Sequence, residues 1–505
     1  MKYNEGQSKR QGVSRMAYLM GIDLGTSSVK VMIMDEQGRC LALAAEGYDI
    51  QLPRPGFAEQ SPELLWESAC KSIRQAFAGC RVRGDEIAAV GLTGQMHGLV
   101  TLNGRGETVR PAIIWNDQRS ERQVRKIRGT AVEEHACNPA STGFWLPSLL
   151  WMQEEEPELY DQIRHILLPK DYIRFRLTGE IATDPSDASG TLLYHMEKRA
   201  WDEETARRYH IPMEFFPPCR ESMQIVGEVT KKAEEETGIL AGTPVICGGG
   251  DGPMQLAGNG VIHPGQLVTN IGTASQVDCI GSRIYPDDRF RLNTFCHVQP
   301  ERWITMGAGL NGGIVLKWLK KEIFREIPDY ETMPELAAKA PAGADGLVFL
   351  PFLCGERSPY MDATAKGIFF GLKLIHTKEH MIRACMESVV YSFLDCMKVF
   401  EELGIPMEDR IIASGGGAKS GFWLQMQADI LQKEIYTTKG VEEACRGAAV
   451  CAGVGCGVYG SLEEGCGTVV RLEDKVYEPS AAPRAAYMEN FELYRKIYQN
   501  NKVLF

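Results

Sequence analysis

The sequence predicts an α/β protein of two similar domains facing each other across a cleft. Three observations carry that prediction. The stretch Gly21-Ile22-Asp23-Leu24-Gly25-Thr26-Ser27-Ser28-Val29-Lys30 lies between the apolar runs 17–20 and 31–34 and reads as strand, tight polar turn, strand. The same device recurs half a chain later, where 267–277 is again strand, Gly272-Thr273 turn, strand. Short apolar strands alternate with amphipathic helices around both, and 505 residues suffice for two or three cored domains.

The turns suggest the ligand. Gly25 lets backbone approach closely, and Thr26, Ser27 and Ser28 add hydroxyls beside free amides, which suits a phosphate. Asp23 ends the first strand beside that turn. A carboxylate repels a phosphate unless a cation lies between them, so Mg²⁺ is implied. An ordinary hairpin with a polar tip is the plain alternative, and the repeat at Gly272-Thr273 weighs against it. Each turn is expected to hold part of a nucleotide's phosphate tail.

Composition narrows the partners. Hydrophobic residues make up 44% and charged residues 24%, as in ordinary globular chains. No apolar run reaches the roughly 18–20 residues of a membrane span. Residues 1–15 are polar, lack the apolar core of a secretory signal, and read as a disordered leader. The net charge is −11 without a basic stripe, which argues against nucleic acid. Fifteen cysteines without a C-x-x-C pair fit reduced thiols in the cytoplasm. Nine histidines include no H-E-x-x-H, so no zinc site is expected.

Taken in order, Ser61 caps a helix that begins at Pro62, shows Leu65, Ala69, Ile73, Ala76 and Phe77 on one face, and ends at Gly79. A buried strand at 87–92 runs into Thr93-Gly94-Gln95-Met96-His97-Gly98, a polar ligand edge in which His97 taken alone reads as structural. The segment 112–119 is a strand ending in Asn116, Asp117 and Arg119. Their spacing suits a polyhydroxylated ligand, and equally a strand end with Asp117 capping the next helix. Phe144, Trp145 and Trp151 suit core packing before a sugar face. A helical stretch follows over 167–177, then a polar loop at 184–191. Helix 231–237 and strand 245–247 lead into Gly248-Gly249-Gly250-Asp251-Gly252. Three glycines strip side chains from the approach to one carboxylate, which lets substrate and phosphate come close to Asp251. A flexible glycine turn is the competing reading.

The boundary falls near 259–264. Beyond the second hairpin come a strand at 302–306, a helix at 314–324, a strand at 346–351, and the charged loop Gly355-Glu356-Arg357-Ser358-Pro359. A long helix at 380–400 and a strand at 410–413 precede the glycine-rich turn 414–420. The helices 422–432 and 444–456 follow; the second, rich in Ala, Gly and Cys, permits close packing. A helix at 485–497 reads as packing or an interface. Two motifs are decoys. Gly307–Gly312 fits G-x-G-x-x-G but lacks an acidic residue ending a second strand, and 415–420 carries Ala418 where a Walker A loop needs glycine.

In this order the motifs resemble the FGGY carbohydrate kinases of the actin-like ATPase superfamily, over Met20 to Gly457. The carrying residues are Gly21–Lys30, Gly94–Gly98, Trp115–Arg119, Leu168-Pro169-Lys170-Asp171-Tyr172, Asp184–Thr191, Gly248–Asp251, Gly355–Pro359 with Lys366–Leu372, and Ser414–Ser420. The resemblance implies two actin-like (ribonuclease H-like) ATPase domains with a catalytic cleft between them. Residues 16–260 would bind sugar and 261–505 nucleotide. It implies ATP-dependent phosphorylation of a ketopentose, D-xylulose first. Another ketose or polyol is the alternative, and a non-catalytic ATP-binding regulator the remote one. By resemblance Asp251 is the base, and Met96 and His97 contact the sugar, with Asn116 and Asp117 beside them. Gly25, Thr26, Ser27, Lys30, Gly272 and Thr273 meet the phosphates of ATP, Gly313, Gly416 and Gly417 meet its adenosine, and Asp23 holds Mg²⁺ through water. Met96-His97 stands where glycerol kinases carry Arg-Glu, which favours a ketose. Gly252 departs from the Asn that ketopentose-specific members place after the base. A homodimer is left open.

Overall fold

Each hairpin seeds a sheet, and the two sheets share one design. The computed structural model describes residues 16–505; the predicted leader lies outside the described residues. In the first sheet β1 (Tyr18–Leu24), β2 (Ser28–Asp35) and β3 (Cys40–Gly47) run antiparallel, with Asp23 opposite Lys30. Helix α1 (Pro62–Ala78) follows, and Ser61 caps it as expected, accepting from the Leu64 amide at 3.2 Å. Strand β4 (Ile87–Gly94) then returns parallel to β1. Helices α2 (Trp145–Glu155), α3 (Pro169–Thr178) and α4 (Pro185–Ala188) lead to β5 (Ile225–Glu228), β6 (Pro244–Ile246) and β7 (Gly249–Gly250). The strand order is β5-β6-β4-β1-β2-β3, with β7 paired to the far end of β4. Helix α5 (Asp251–Gly258) begins where β7 stops.

The second sheet repeats this. Strands β8 (Leu267–Ile271), β9 (Ser275–Gly281), β10 (Asn293–Cys296) and β11 (Trp303–Gly309) come first, then helices α6 (Gly313–Trp318) and α7 (Lys378–Glu402). Strand β12 (Arg410–Ser414), helix α8 (Gly421–Leu431) and strand β13 (Glu434–Tyr436) complete the order β10-β11-β9-β8-β12-β13. Three antiparallel strands β8, β9 and β11 stand for β1, β2 and β3, and the parallel strands β12 and β13 for β4 and β6.

The halves are joined through a helix that belongs to the second by sequence and packs on the first. Helix α9 (Glu443–Gly455) lies against β1, β4 and α5. Its approach is close enough that a Cβ on Gly21 would sit 2.0 Å from the Cys445 carbonyl oxygen, and one on Gly91 2.0 Å from that of Ala448. A Cβ on Gly447 would meet the Met254 carbonyl oxygen at 2.0 Å. The small residues of α9 thus have a physical reason, and a partition of the chain at residue 260 is crossed by it. Helix α10 (Arg484–Asn501) buries Tyr487, Phe491, Tyr494 and Ile497 in the second half's core. Among the described residues no helix is long and apolar enough to cross a membrane, and every cysteine is a free thiol.

Three local expectations are corrected. The polar loop at 184–191 contains α4, whose residues are fully buried. The strand at 112–119 is only Ala112–Ile113, and the helix after it starts at Glu121, so Asp117 caps nothing. The helix at 314–324 is α6 followed by a π turn over Leu319–Ile323.

Candidate active site

The two sheets carry equivalent turns, each held in its own way. At the first turn the Gly25 amide donates to the Ser28 carbonyl at 3.0 Å. Gln60 donates to the Thr26 carbonyl at 2.7 Å, and the Trp115 indole donates to the Thr26 hydroxyl at 2.9 Å. The Tyr48 hydroxyl donates to the Gly25 carbonyl. The loop is therefore held from three sides, with Ser27 exposed at its tip. At the second turn α6 docks directly: the Gly313 amide donates to Gly272 O at 2.8 Å and the Ile314 amide to Thr273 O at 3.1 Å. A Cβ on Gly313 would lie 2.8 Å from that Gly272 oxygen, so glycine is needed for the docking.

Asp251 occupies the first turn of α5 with Gly250 as N-cap. The helix dipole favours its charge there, and its Oδ1 accepts from the Gly252 amide at 2.8 Å. Burial outweighs both and lifts its carboxyl to about 6. Asp23 is 8% exposed; burial, then the charge of Asp251, raise it to about 7 against the pull of Lys30. Its Oδ1 is buried without a hydrogen-bond partner. An orphaned buried carboxylate oxygen beside a second carboxylate and two phosphate turns fits a hard divalent cation. Lys30 does not stand free: its ammonium meets Glu442 at 2.6 Å. Burial pulls on Lys30, but that ion pair wins and keeps its pKa raised.

The three glycines before Asp251 serve packing more than access, which corrects the first expectation. A Cβ on Gly248 would lie 2.4 Å from the Leu92 carbonyl oxygen, on Gly249 2.8 Å from Val298 Cγ1, and on Gly250 2.7 Å from Met96 Cγ. The segment is clamped from below by a buried ionic cluster. Lys170 meets Asp171 at 2.6 Å, Asp184 at 3.0 Å and Asp187 at 3.1 Å, all fully buried. Arg174 bonds Asp171 at 2.7 Å and the Cys247 carbonyl at 2.6 Å. Asp184 accepts from the Ser186 hydroxyl, and that hydroxyl accepts from the Gly250 amide at 3.0 Å. Two cations face three carboxylates, and burial pushes Asp187 well above the usual carboxylate range. The motifs at 168–172 and 184–191 thus back the glycines before Asp251, and Gly190 of the second also bonds His97.

Met96 packs against Gly250. His97, at φ 70°, stacks on Phe144 at 4.1 Å and its Nδ1 meets the Gly190 carbonyl at 2.6 Å. A carbonyl only accepts, so Nδ1 carries the proton and Nε2 offers a lone pair. Burial holds the ring down to about 4, helped by Arg357, so it is neutral near pH 7. Asn116 has a buried, unpartnered Oδ1. Asp117 is a different matter. Its carboxylate is fully buried and takes hydrogen bonds from the Ala58 amide at 2.6 Å and from the Arg119 amide and guanidinium at 2.9 Å. No acceptor is left for a sugar, so Asp117 anchors the loop that carries Asn116.

On the nucleotide side, a cavity of about 570 Å³ is lined by Gly272, Gly313, Leu316, Tyr330, Glu335, Gly416, Gly417 and Phe422. Gly415 has φ 77°, and a Cβ there would meet Asn270 Oδ1 at 2.3 Å. Sequence reasoning did not foresee the bonding of Glu356. Its buried carboxylate accepts from the Leu310 and Arg357 amides at 2.8 Å and from Asn311, tying the charged loop to the glycine-rich start of α6. The charged loop was legible; the buried role of one of its carboxylates was not.

Known proteins resemble the chain over nearly its full length. The model of the FGGY family of carbohydrate kinases, N-terminal domain, matches residues 18–258, and that of the C-terminal domain matches 267–456. A xylulose kinase of Staphylococcus epidermidis is 35% identical over 486 residues, covering 96% of this chain and 97% of its own. One of Bacillus subtilis is 34% identical over 492 residues, with 97% and 98% covered. The solved structure of ligand-bound xylulose kinase from Lactobacillus acidophilus superposes with a TM-score of 0.91 at 27% identity, covering 96% of this chain and 98% of that one.

Proposed function

The chain belongs to the FGGY family of carbohydrate kinases, and on that footing we propose that it transfers the γ-phosphoryl group of ATP to the terminal hydroxyl of D-xylulose. The observation that carries the chemistry is Asp251: one half-buried carboxylate at a helix N-terminus, lifted to about 6 by burial and close enough to Asp23 for its charge to raise that group too. The substrate is taken from the names of the relatives.

Asp251 accepts the proton of the attacking hydroxyl at its carboxylate. A base matched to the working pH contributes about 10²–10⁴-fold. Its pKa near 6 keeps it ionised at pH 7 and still a better proton acceptor than an ordinary aspartate. His97 Nε2 accepts from a sugar hydroxyl, and Met96 supports the carbon chain with Asn116 beside it. The turns at Gly25-Thr26 and Gly272-Thr273, with Ser27, present donors to the phosphates, and Lys30, neutralised by its pair with Glu442, stands opposite Asp23 beside the first turn. Gly313, Gly416 and Gly417 leave room for the adenosine. Mg²⁺, held by Asp23 through water, would neutralise the phosphate charge. Residues 16–260 supply the acceptor side and 261–505 the nucleotide side, except for α9. The transition state is loose, so alignment and charge stabilisation lower most of the barrier. Closing the two halves excludes water, the competing acceptor. The free thiols suit a reduced compartment, the cytoplasm.

ADP release with MgATP tests this over D-xylulose, D-ribulose, L-xylulose, L-ribulose, D-fructose, glycerol and erythritol. The expected result is a kcat/KM for D-xylulose well above the rest. Preference for another member would overturn the substrate and keep the mechanism. No acceptor-dependent turnover from any member would overturn the reading.

A further inference from the structure

Across the cleft from Asp251 the second sheet presents a polar pair in an apolar wall. Asp278 on β9 lies opposite Val268 and Met306, and Gln276 opposite Asn270 and Ala308. Side chains alternate along a strand, so Gln276, Asp278 and Ile280 share one face. That face looks at the first half, because Ile280 is buried together with Met96 and Leu256, alongside Val268, Phe295 and Ile304.

Three contacts place this face over the start of α5. The Asn270 amide donates to Gln255 at 3.0 Å, and Gln255 lies one turn beyond Asp251. A Cβ on Gly252 would meet Met306, the strand neighbour of Asp278, at 3.9 Å. Phe295, on the same face, lies 5.8 Å from the His97 ring. The pair therefore borders the space between His97 and Asp251.

Its own bonding is incomplete. Gln276 Nε2 donates to Asp278 Oδ2 at 2.9 Å. Asp278 is 1% exposed, and its Oδ1 has no hydrogen-bond partner. A carboxylate accepts, so it fixes the glutamine nitrogen toward itself and turns the amide oxygen away. Burial pushes the Asp278 carboxyl up to about 7. A nearly enclosed carboxyl with one unmet oxygen, holding an amide in one orientation, is an arrangement that a hydroxyl-bearing ligand completes.

We propose that Gln276 and Asp278 form the second wall of the acceptor site, where they take hydrogen bonds from the hydroxyls of an open polyhydroxy chain and select against anionic acceptors. The inference rests on the reading of Asp251, Met96 and His97 as the acceptor side. Asp278 is a specificity-determining residue here and transfers no proton to the reacting oxygen. Ionised, above pH 7, it repels a carboxylate or phosphate on the acceptor and tolerates a neutral sugar.

The test is steady-state kinetics of the full chain and of Gln276→Val and Asp278→Asn with D-xylulose, D-gluconate and MgATP. Gln276 is half-exposed, so its variant is expected to fold even where Asp278→Asn does not. Both variants should raise KM for D-xylulose about tenfold or more, as loss of a hydrogen bond to substrate does. KM for ATP should stay within about twofold, and Asp278→Asn should shift the kcat/KM ratio toward D-gluconate by about tenfold. An unchanged KM for D-xylulose in folded Gln276→Val, or equal rises in both KM values, would overturn the proposal. A parent chain inactive on every acceptor would overturn the kinase reading instead, which separates the two failures.

Discussion

The first turn, Gly25-Thr26, is surrounded by titratable side chains, whereas the second, Gly272-Thr273, is surrounded by backbone. Around the first stand Asp23, Lys30, Glu442 and Asp251, and the charge of one shifts the next. Around the second stand the amides of α6 and the glycines at 415–417, placed by close packing against Ile271 and Asn270. One sheet design thus serves two tasks. On the proposed reading the first half manages protons and cation charge, and the second shapes the nucleotide cavity and one wall of the acceptor site. Because strand order is the same, the difference lies in what the loops carry, as expected where function is grafted on a scaffold.

The largest effect that would break this comparison is at Asp251. Asp251→Asn keeps the size and the helix position and removes the base. Turnover should fall by about 10²–10⁴-fold. ATP affinity, read by calorimetry, should change little, because the adenosine cavity belongs to the other half. Near-normal turnover would remove Asp251 from the chemistry and with it the division of labour.

The converse substitution lies in the second half. A Cβ on Gly416 would meet only the Ile271 carbonyl oxygen, at 3.7 Å, so the backbone accepts a side chain there. Gly416→Leu should therefore fold and fill part of the cavity. We expect KM for ATP to rise about tenfold, equivalent to about 1.4 kcal/mol, with KM for sugar little changed. A rise in both would mean that the cavity and the acceptor side are not separable.

Much of this was legible because the informative features are local. The hairpins, the Ser61 cap and most helices announce themselves by periodicity and by turn residues; the π turn after Trp318 and the short helix at 185–188 do not. What was not legible depends on distance in sequence. Asp117 looks like a ligand residue until Ala58 and Arg119 fold onto it. The glycines at 248–250 look like an open approach until Met96, Val298 and the Leu92 carbonyl pack over them. Asp278 alternates unremarkably in an apolar strand, and only the register with Met306 shows which space it borders. Burial of charge is the common element. A sequence reports that a carboxylate exists, and only the fold reports whether it is paired, protonated or waiting for a ligand.

The smallest effect is on pH, and it sharpens the same contrast. Asp251 must be ionised to accept a proton. Burial lifts its carboxyl from an ordinary aspartate value to about 6, so it takes up a proton as pH falls through 6. Each further unit should then lower kcat/KM for the acceptor about tenfold, giving a limb of unit slope below pH 6. His97 adds no limb in this range, since burial holds it near 4 and it is already neutral. Adenosine affinity rests on the glycine-lined cavity and should vary far less over pH 5.5–7.5, whereas Asp23, raised to about 7, titrates within that window. Rate profiles at saturating MgATP, beside calorimetric adenosine titrations at the same pH values, read both quantities. A limb that breaks near 4 would mean that the bound nucleotide and its cation restore Asp251 to an ordinary carboxylate. The charge of the first half would then answer to the contents of the second.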